Sequence, residues 1–249
     1  MVSASFKKLR KISGDAIVRY RMISDGDRIL AGLSGGKDSF VLLELLHQLQ
    51  KVAPVSFEIA AVTFDPGFPE YNVKETALYC QRKGWEHHVI AMKIADIIDE
   101  KDFSHAPCVM CSRLRRGRLY RAARELNCSK LALGHHLDDV IISFLMSLCR
   151  GQGLATMAPV VKPQEKGNPV VIRPLVLAPE SLIRQCAGEM ELPAAGICRY
   201  REQLDSGDRK FFGSTIARWE ERIPDLRSNI ANSLRNPKTA HLLCEPEKL

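Results

Sequence analysis

The chain is predicted to fold as a doubly wound α/β domain with a mainly parallel sheet, flanked by an N-terminal helix and a C-terminal helical extension. Three observations predict it. Short apolar runs (RILAGL, SFEIAAVTFD, EHHVIAM, KLALGH and VVIRPL) alternate with stretches of helical periodicity, the pattern of parallel strands joined by helical crossovers. The first run leads into a glycine turn that opens a helix. From Pro179 onward the strand patterns stop.

Residues 5–23 carry apolar positions at helical spacing with basic residues between them, which predicts an amphipathic helix within a first segment, 1–25. The α/β domain then occupies 26–178. Strand RILAGL precedes the turn SGGKDS and helix SFVLLELLHQLQ, and the nearly continuous apolar run SFEIAAVTFD gives a second strand. YNVKETALYCQRKG reads as a helix stopped by Gly84, and EHHVIAM as a third strand. A polar loop spans about 93–107, followed by helix CSRLRRGRLYRAARELN, strand KLALGH and helix LDDVIISFLMSLCR. Residues 151–167 are punctuated by Gly and Pro and are predicted to be a surface connection before strand VVIRPL. Residues 179–249 form the helical extension, with one helix around FFGSTIARWEERI.

The 249 residues are 45% hydrophobic and 26% charged, the balance of an ordinary globular chain. No apolar run is long enough to span a membrane. The basic N-terminus lacks the apolar core of a secretory signal, so a cytoplasmic protein is expected. Lys and Arg number 36 against 29 acids, a net charge of +7. The excess is concentrated in RLRRGRLYRAAR, with six arginines in residues 113–124. Such a cluster points to a polyanionic partner, most simply nucleic acid, with a solvated helix face as the plainer alternative. With no secretion signal, the eight cysteines are not expected to form a disulfide framework. Most should be small buried hydrophobes, and Cys149 and Cys186 fall at core-like helical positions.

Three constellations carry chemistry. In SGGKDS, Gly35 and Gly36 let the backbone approach an anion at a helix N-terminus. Lys37 adds a point charge, while Ser34 and Ser39 add hydroxyl donors. Asp38 would repel a phosphate unless a divalent cation sat between them, which suggests Mg²⁺. The pattern is neither G-x-x-x-x-G-K-[ST] nor G-x-G-x-x-G. In PCVMC, Cys108 and Cys111 start a helix at a spacing that reaches one metal. Zinc, an iron–sulfur centre, redox chemistry and no function at all remain open for that pair alone. The arginines that follow place positive charge beside the thiols. The third stretch, LALGHHLDDV, ends a strand and opens a helix, so it should share the sheet edge of the glycine turn. His135 and His136 could orient that turn without acting as bases, and Asp138 and Asp139 could be plain first-turn acids. His87 and His88 lie in a strand and read as structural.

SGGKDS resembles the pyrophosphate loop of N-type ATP pyrophosphatases at every position. With GDRILAGLSGGKDS, PGFPE, CVMCSRLRRGRLYR, LALGHHLDD and VIRPL in this order, the chain resembles the tRNA 2-thiocytidine biosynthesis branch of the PP-loop iron–sulfur tRNA thiolases. The resemblance implies ATP-dependent replacement of the C2 oxygen of a tRNA cytidine, at position 32, by sulfur. It implies that Ser34, Gly35, Gly36, Lys37, Ser39 and Gly134 bind ATP, with Lys37 and Asp38 catalytic and Asp38 and Asp139 holding Mg²⁺. It also implies a [4Fe-4S] cluster on Cys108, Cys111 and a third cysteine, Cys198, with Cys244 as the alternative. Arg113, Arg115, Arg116 and Arg118 would steer the tRNA. A sulfur donor such as a cysteine desulfurase is implied, and a homodimer is allowed. One departure is that AVTFDPGFPE passes straight from Asp65 to Pro66, shortening a loop that borders the adenosine in the family. Competing expectations are thiolation of a uridine, a persulfide cycle without iron, a PP-loop ligase, and a non-catalytic nucleotide- and tRNA-binding module.

Overall fold

The computed structural model describes residues 2–68, 71, 73–92, 94, 97, 107–193 and 207–242, with side chains for all of these except 107–109. Helix α1 (Ala4–Arg19) begins at Ser3, whose side chain accepts the Phe6 N–H, and buries Phe6, Leu9 and Ala16. Strand β1 (Asp27–Gly32) feeds the glycine turn and α2 (Lys37–Gln50). Next come β2 (Phe57–Asp65), α3 (Val73–Lys83), β3 (His87–Ala91), α4 (Pro107–Glu125), β4 (Lys130–Ala132) and α5 (Leu137–Cys149). A hairpin of β5 (Val160–Val161) and β6 (Val170–Ile172) follows, then α6 (Glu180–Gly188), α7 (Asp208–Glu220) and α8 (Leu226–Arg235). The positive φ of Gly84, 67°, ends α3 where the sequence predicts a stop.

The strands form one six-stranded sheet in the order β3-β2-β1-β4-β6-β5. All neighbouring pairs are parallel except β5 with β6. β2 is buried on both faces, as its continuous apolar run requires. On one face Ile29, Ala31, Phe57 and Ile59 join α1, α2, α3 and α6 in a core around Phe40, Leu42 and Leu46. On the other face Leu30, Ala60, Val62 and Leu131 pack with Ala122 and Ala123 of α4. A third cluster joins Leu137, Ile141 and Leu145 of α5 to Ile216 of α7 and to Leu226 and Ala231 of α8. Among the described residues, no helix is long and apolar enough to cross a membrane.

One expectation is extended and one is corrected. The connection over 151–167 has no buried residue, as expected of a surface connection, and it also contains strand β5, antiparallel to β6; two residues are too few to show a period-2 pattern between Gly and Pro. Cys149 is exposed rather than core-like. The buried stripe Leu137, Ile141, Leu145 would reach it one turn later, but in the last turn of α5 Leu148 is exposed as well. Cys80, Cys128 and Cys186 are buried as expected. Burial pushes the Cys80 thiol up to about 11, which leaves it inert.

Candidate active site

The chain leaves β1 toward β2 and β3, then crosses back through α4 to β4 on the other side of β1. The carboxyl ends of β1 and β4 therefore flank a topological switch point, where open α/β sheets place ligands. The SGGKDS turn follows β1 and the LGHH turn follows β4, so both meet there.

The first turn is held open by its own hydroxyls. Gly35 has φ 80°, a left-handed conformation costly for any residue with a Cβ. The Ser34 N–H donates to Ser39 Oγ at 3.1 Å, and the Ser39 hydroxyl donates to the Gly36 carbonyl at 2.8 Å. Tyr71 clamps the outside through its hydroxyl, 2.6 Å from the Ser34 carbonyl oxygen. Gly36 is the N-cap of α2 and has no side chain to satisfy the first-turn N–H groups, which leaves them available to an anion.

Gly134 has a steric reason to be glycine. A Cβ there would lie 3.1 Å from the carbonyl carbon and oxygen of Asp38 and 3.3 Å from the Ser39 nitrogen. The two turns touch through backbone.

Lys37 lies between two carboxylates, with Nζ 2.9 Å from Glu180 and 3.1 Å from Asp38. Burial would lower its pKa, but the pairs with Glu180 and Asp38 outweigh it and hold the ammonium above its ordinary value. Asp38 Oδ1 is buried and has no hydrogen-bond partner among the described residues. It lies 4.0 Å from His136 Nε2, and Asp139 Oδ2 lies 3.5 Å from that same nitrogen. Asp139 also accepts the His136 N–H at 3.0 Å, capping α5, and pairs with Arg209 of α7. Asp138 faces the other ring nitrogen, with Oδ2 3.8 Å from His136 Nδ1. Its Oδ2 accepts the Glu180 N–H at 2.7 Å and its Oδ1 accepts from Arg227 Nε at 2.7 Å, tying α5 to α6 and α8.

Of these residues, Ser34, Asp38, Ser39, Tyr71, Gly134 and Asp139 line a cleft of about 580 Å³, within the range of about 300–1,000 Å³ common to ligand sites. Its opposite wall comprises Ser112, Arg115 and Arg116 of α4, with Arg173 just after β6. Cys108 and Cys111 fall in the first turns of α4, three residues apart and so on one helix face. Cys111 is partly buried and packs against the core on this face of the sheet. Cys198 and Cys244 lie outside the described residues. Arg113 and Arg118 are exposed on α4, outside the cleft lining. Arg121 pairs with Glu125 and Arg124 binds Asn168. By contrast, none of Arg113, Arg115, Arg116 and Arg118 has an ion-pair partner among the described residues. At the shortened loop, Gly67 with φ 80° donates its N–H to Asp65 Oδ1 at 2.9 Å, closing a tight turn beside Phe68. His87 bonds the Thr63 hydroxyl at 2.8 Å and His88 bonds Glu86 at 3.0 Å, so both are held within the sheet region. A larger groove, about 940 Å³, lies between α1, α2, α3 and α6 and contains none of the sequence-predicted site residues.

Residues 3–193 match the PP-loop domain family. A tRNA-cytidine(32) 2-sulfurtransferase from Alkalilimnicola ehrlichii is 40% identical over 240 residues, covering 95% of this chain and 75% of the relative. The chain belongs to the tRNA-cytidine(32) 2-sulfurtransferase family of PP-loop transferases. A second member, from Syntrophotalea carbinolica, is 38% identical over 96% of this chain and 92% of its own length. Among solved structures, the U34-tRNA thiolase NcsA from Methanococcus maripaludis, with its [4Fe-4S] cluster, aligns at TM-score 0.72 and 23% identity. That alignment covers 93% of this chain and 78% of NcsA, and it establishes the shared fold.

Glu180, Arg173, Tyr71, Arg209 and Arg227 have no role in the sequence reading. Their contacts come from distant elements; Glu180 is 143 residues from Lys37. The available signals were VIRPL, which contains Arg173, and Pro179-Glu180, a helix start with an acid in its first turn.

Proposed function

We propose that this PP-loop transferase is an ATP-dependent tRNA sulfurtransferase that adenylates the C2 carbonyl oxygen of cytidine 32 and replaces that oxygen with sulfur. One observation carries the reading beyond family membership. The PP-loop and the helix bearing Cys108 and Cys111 form opposite walls of one cleft.

In this reading Ser34, Gly35, Gly36 and Ser39 seat the β- and γ-phosphates at the N-terminus of α2. Lys37 moves from Glu180 onto the phosphates. The C2 oxygen attacks the α-phosphorus and pyrophosphate leaves, its charge stabilised by Lys37 and the backbone N–H groups. The C2 carbon then carries a good leaving group, and AMP departs when sulfur takes its place. Gly134 lets the turn after β4 lie directly against the backbone of the PP-loop. Arg113, Arg115, Arg116 and Arg118 attract the RNA phosphates, and the target base leaves its stack to reach the cleft.

The residues present fit Mg²⁺. Asp38 offers a buried oxygen whose one close charged neighbour among the described residues is the Lys37 ammonium at 3.1 Å, and Asp139 lies against the same imidazole. Among the described residues no three His, Cys, Asp or Glu side chains group to hold a metal. Mg²⁺ bound to ATP needs only one or two carboxylates beside the phosphates. Asp139 would have to release Arg209 to take part. The thiol pair at the start of α4 fits a [4Fe-4S] cluster completed by Cys198, and that cluster would supply the sulfur from a donor such as a cysteine desulfurase.

The test is nucleoside mass spectrometry of tRNA incubated anaerobically with the iron-reconstituted protein, ATP and a sulfide source. 2-Thiocytidine that depends on ATP is expected. 2-Thiouridine, or no thionucleoside, would overturn the assignment.

A further inference from the structure

Arg173 is the guanidinium on the far wall with the most fixed position. Its Nε donates to His135 Nδ1 at 3.3 Å and its Nη1 to the Ala158 carbonyl at 2.6 Å. Neither partner is an anion. Burial, with the charge of Arg173 beside it, holds the His135 imidazole below its ordinary pKa and therefore neutral. Burial likewise lowers the pKa of Arg173, with Tyr120 and Asp139 opposing the shift and Arg116 adding to it. Among the described residues no carboxylate forms an ion pair with Arg115, Arg116 or Arg173, and Arg173 Nη2 makes no hydrogen bond. Yet all three line the cleft that holds the PP-loop.

Gathering cations that repel one another, with one partly buried, costs free energy that an anion would offset. The PP-loop already provides its own donors for pyrophosphate. A separate cationic wall across the cleft therefore calls for a separate anion, and a fixed, planar guanidinium suits two oxygens of one phosphate.

We propose that Arg173 and Arg116 form a second phosphate subsite facing the PP-loop, occupied by a phosphate group of the nucleotide or of the RNA backbone during the reaction. The proposal deepens the sulfurtransferase reading and rests on it. His135 is a positioning residue here, since a neutral Nδ1 acceptor fixes the guanidinium plane.

Two binding measurements on Arg173→Gln identify the source of the phosphate. ATP affinity is read by calorimetry without RNA, and tRNA affinity is read without ATP over a range of salt concentrations. A loss of about tenfold is expected in one arm, the size of one charge-assisted contact. If RNA is the source, the salt slope also falls by about 1. Arg173→Lys should recover only part of the loss, because a point charge cannot reproduce the bidentate fork. Retained affinity in the other arm, with an unchanged unfolding temperature, separates lost binding from lost fold. Should Arg173→Gln not fold, Arg116→Gln reads the same two arms, since Arg116 is exposed. Folded variants that bind both ATP and tRNA like the wild type would overturn the subsite. Wild-type protein that binds neither would instead overturn the sulfurtransferase reading beneath it.

Discussion

Gly134 shows how one missing carbon shapes the site. Its neighbours at 3.1 Å are backbone atoms of Asp38, which cannot swing aside. Gly134→Ala should therefore displace the start of α2, destabilise the protein by about 1–3 kcal/mol and weaken ATP binding. Thermal unfolding and an ATP titration check both. Glu180 acts through charge. It holds Lys37, and if Lys37 serves the ATP phosphates as proposed, this carboxylate would compete with them. Glu180→Gln should tighten ATP binding by about 5-fold, equivalent to about 1 kcal/mol, with little change in stability for a partly exposed pair. Unchanged or weaker binding would mean that Glu180 orients Lys37 rather than sequestering it. His87 links the sheet to pH. Burial, with the His88 charge adding, lowers its pKa to about 4, against about 6.5 in an unfolded chain. The unfolded chain thus binds the extra proton between these values, and stability declines as pH falls from about 6.5 to about 4. Denaturant titrations of His87→Gln should show a flatter decline across that window.

The elements that position the site are legible in the sequence where the signal is local. β2 reads as a buried strand because all but one of its first eight residues are buried, and α3 ends at a glycine whose φ only glycine adopts at little cost. The turn conformation of SGGKDS is legible because its glycines and hydroxyls act within six residues. β5 is illegible because two residues contain no period. The exposure of Cys149 is illegible because it depends on packing rather than on the local pattern of α5. The arginines of α4 show both sides. Their number is plain in the sequence, but only packing separates Arg121 and Arg124, which have partners, from the cleft-facing Arg115 and Arg116. The contributions of Glu180, Arg173, Arg209 and Arg227 come through the fold alone.

The molecule as a whole is fastened by carboxylates of the LGHHLDD turn. Asp138 binds α6 and α8 at once, and Asp139 pairs with α7, so the C-terminal helices dock on the same turn that borders the cleft. Arg227 keeps Glu220, but Asp138→Ala would leave the first N–H of α6 without this partner and should cost about 1–3 kcal/mol, read by chemical denaturation. In the proposed reaction, oxygen activation by the PP-loop and sulfur delivery from the helix bearing Cys108 and Cys111 would take place in a single cleft. The most direct measurement compares Lys37→Ala and Cys108→Ala in one anaerobic assay that reads iron content, tRNA-dependent pyrophosphate release and 2-thiocytidine together. Lys37→Ala should keep its iron and lose both pyrophosphate release and product, whereas Cys108→Ala should still release pyrophosphate but form no 2-thiocytidine. Thiolation by the Cys108→Ala protein would contradict the account.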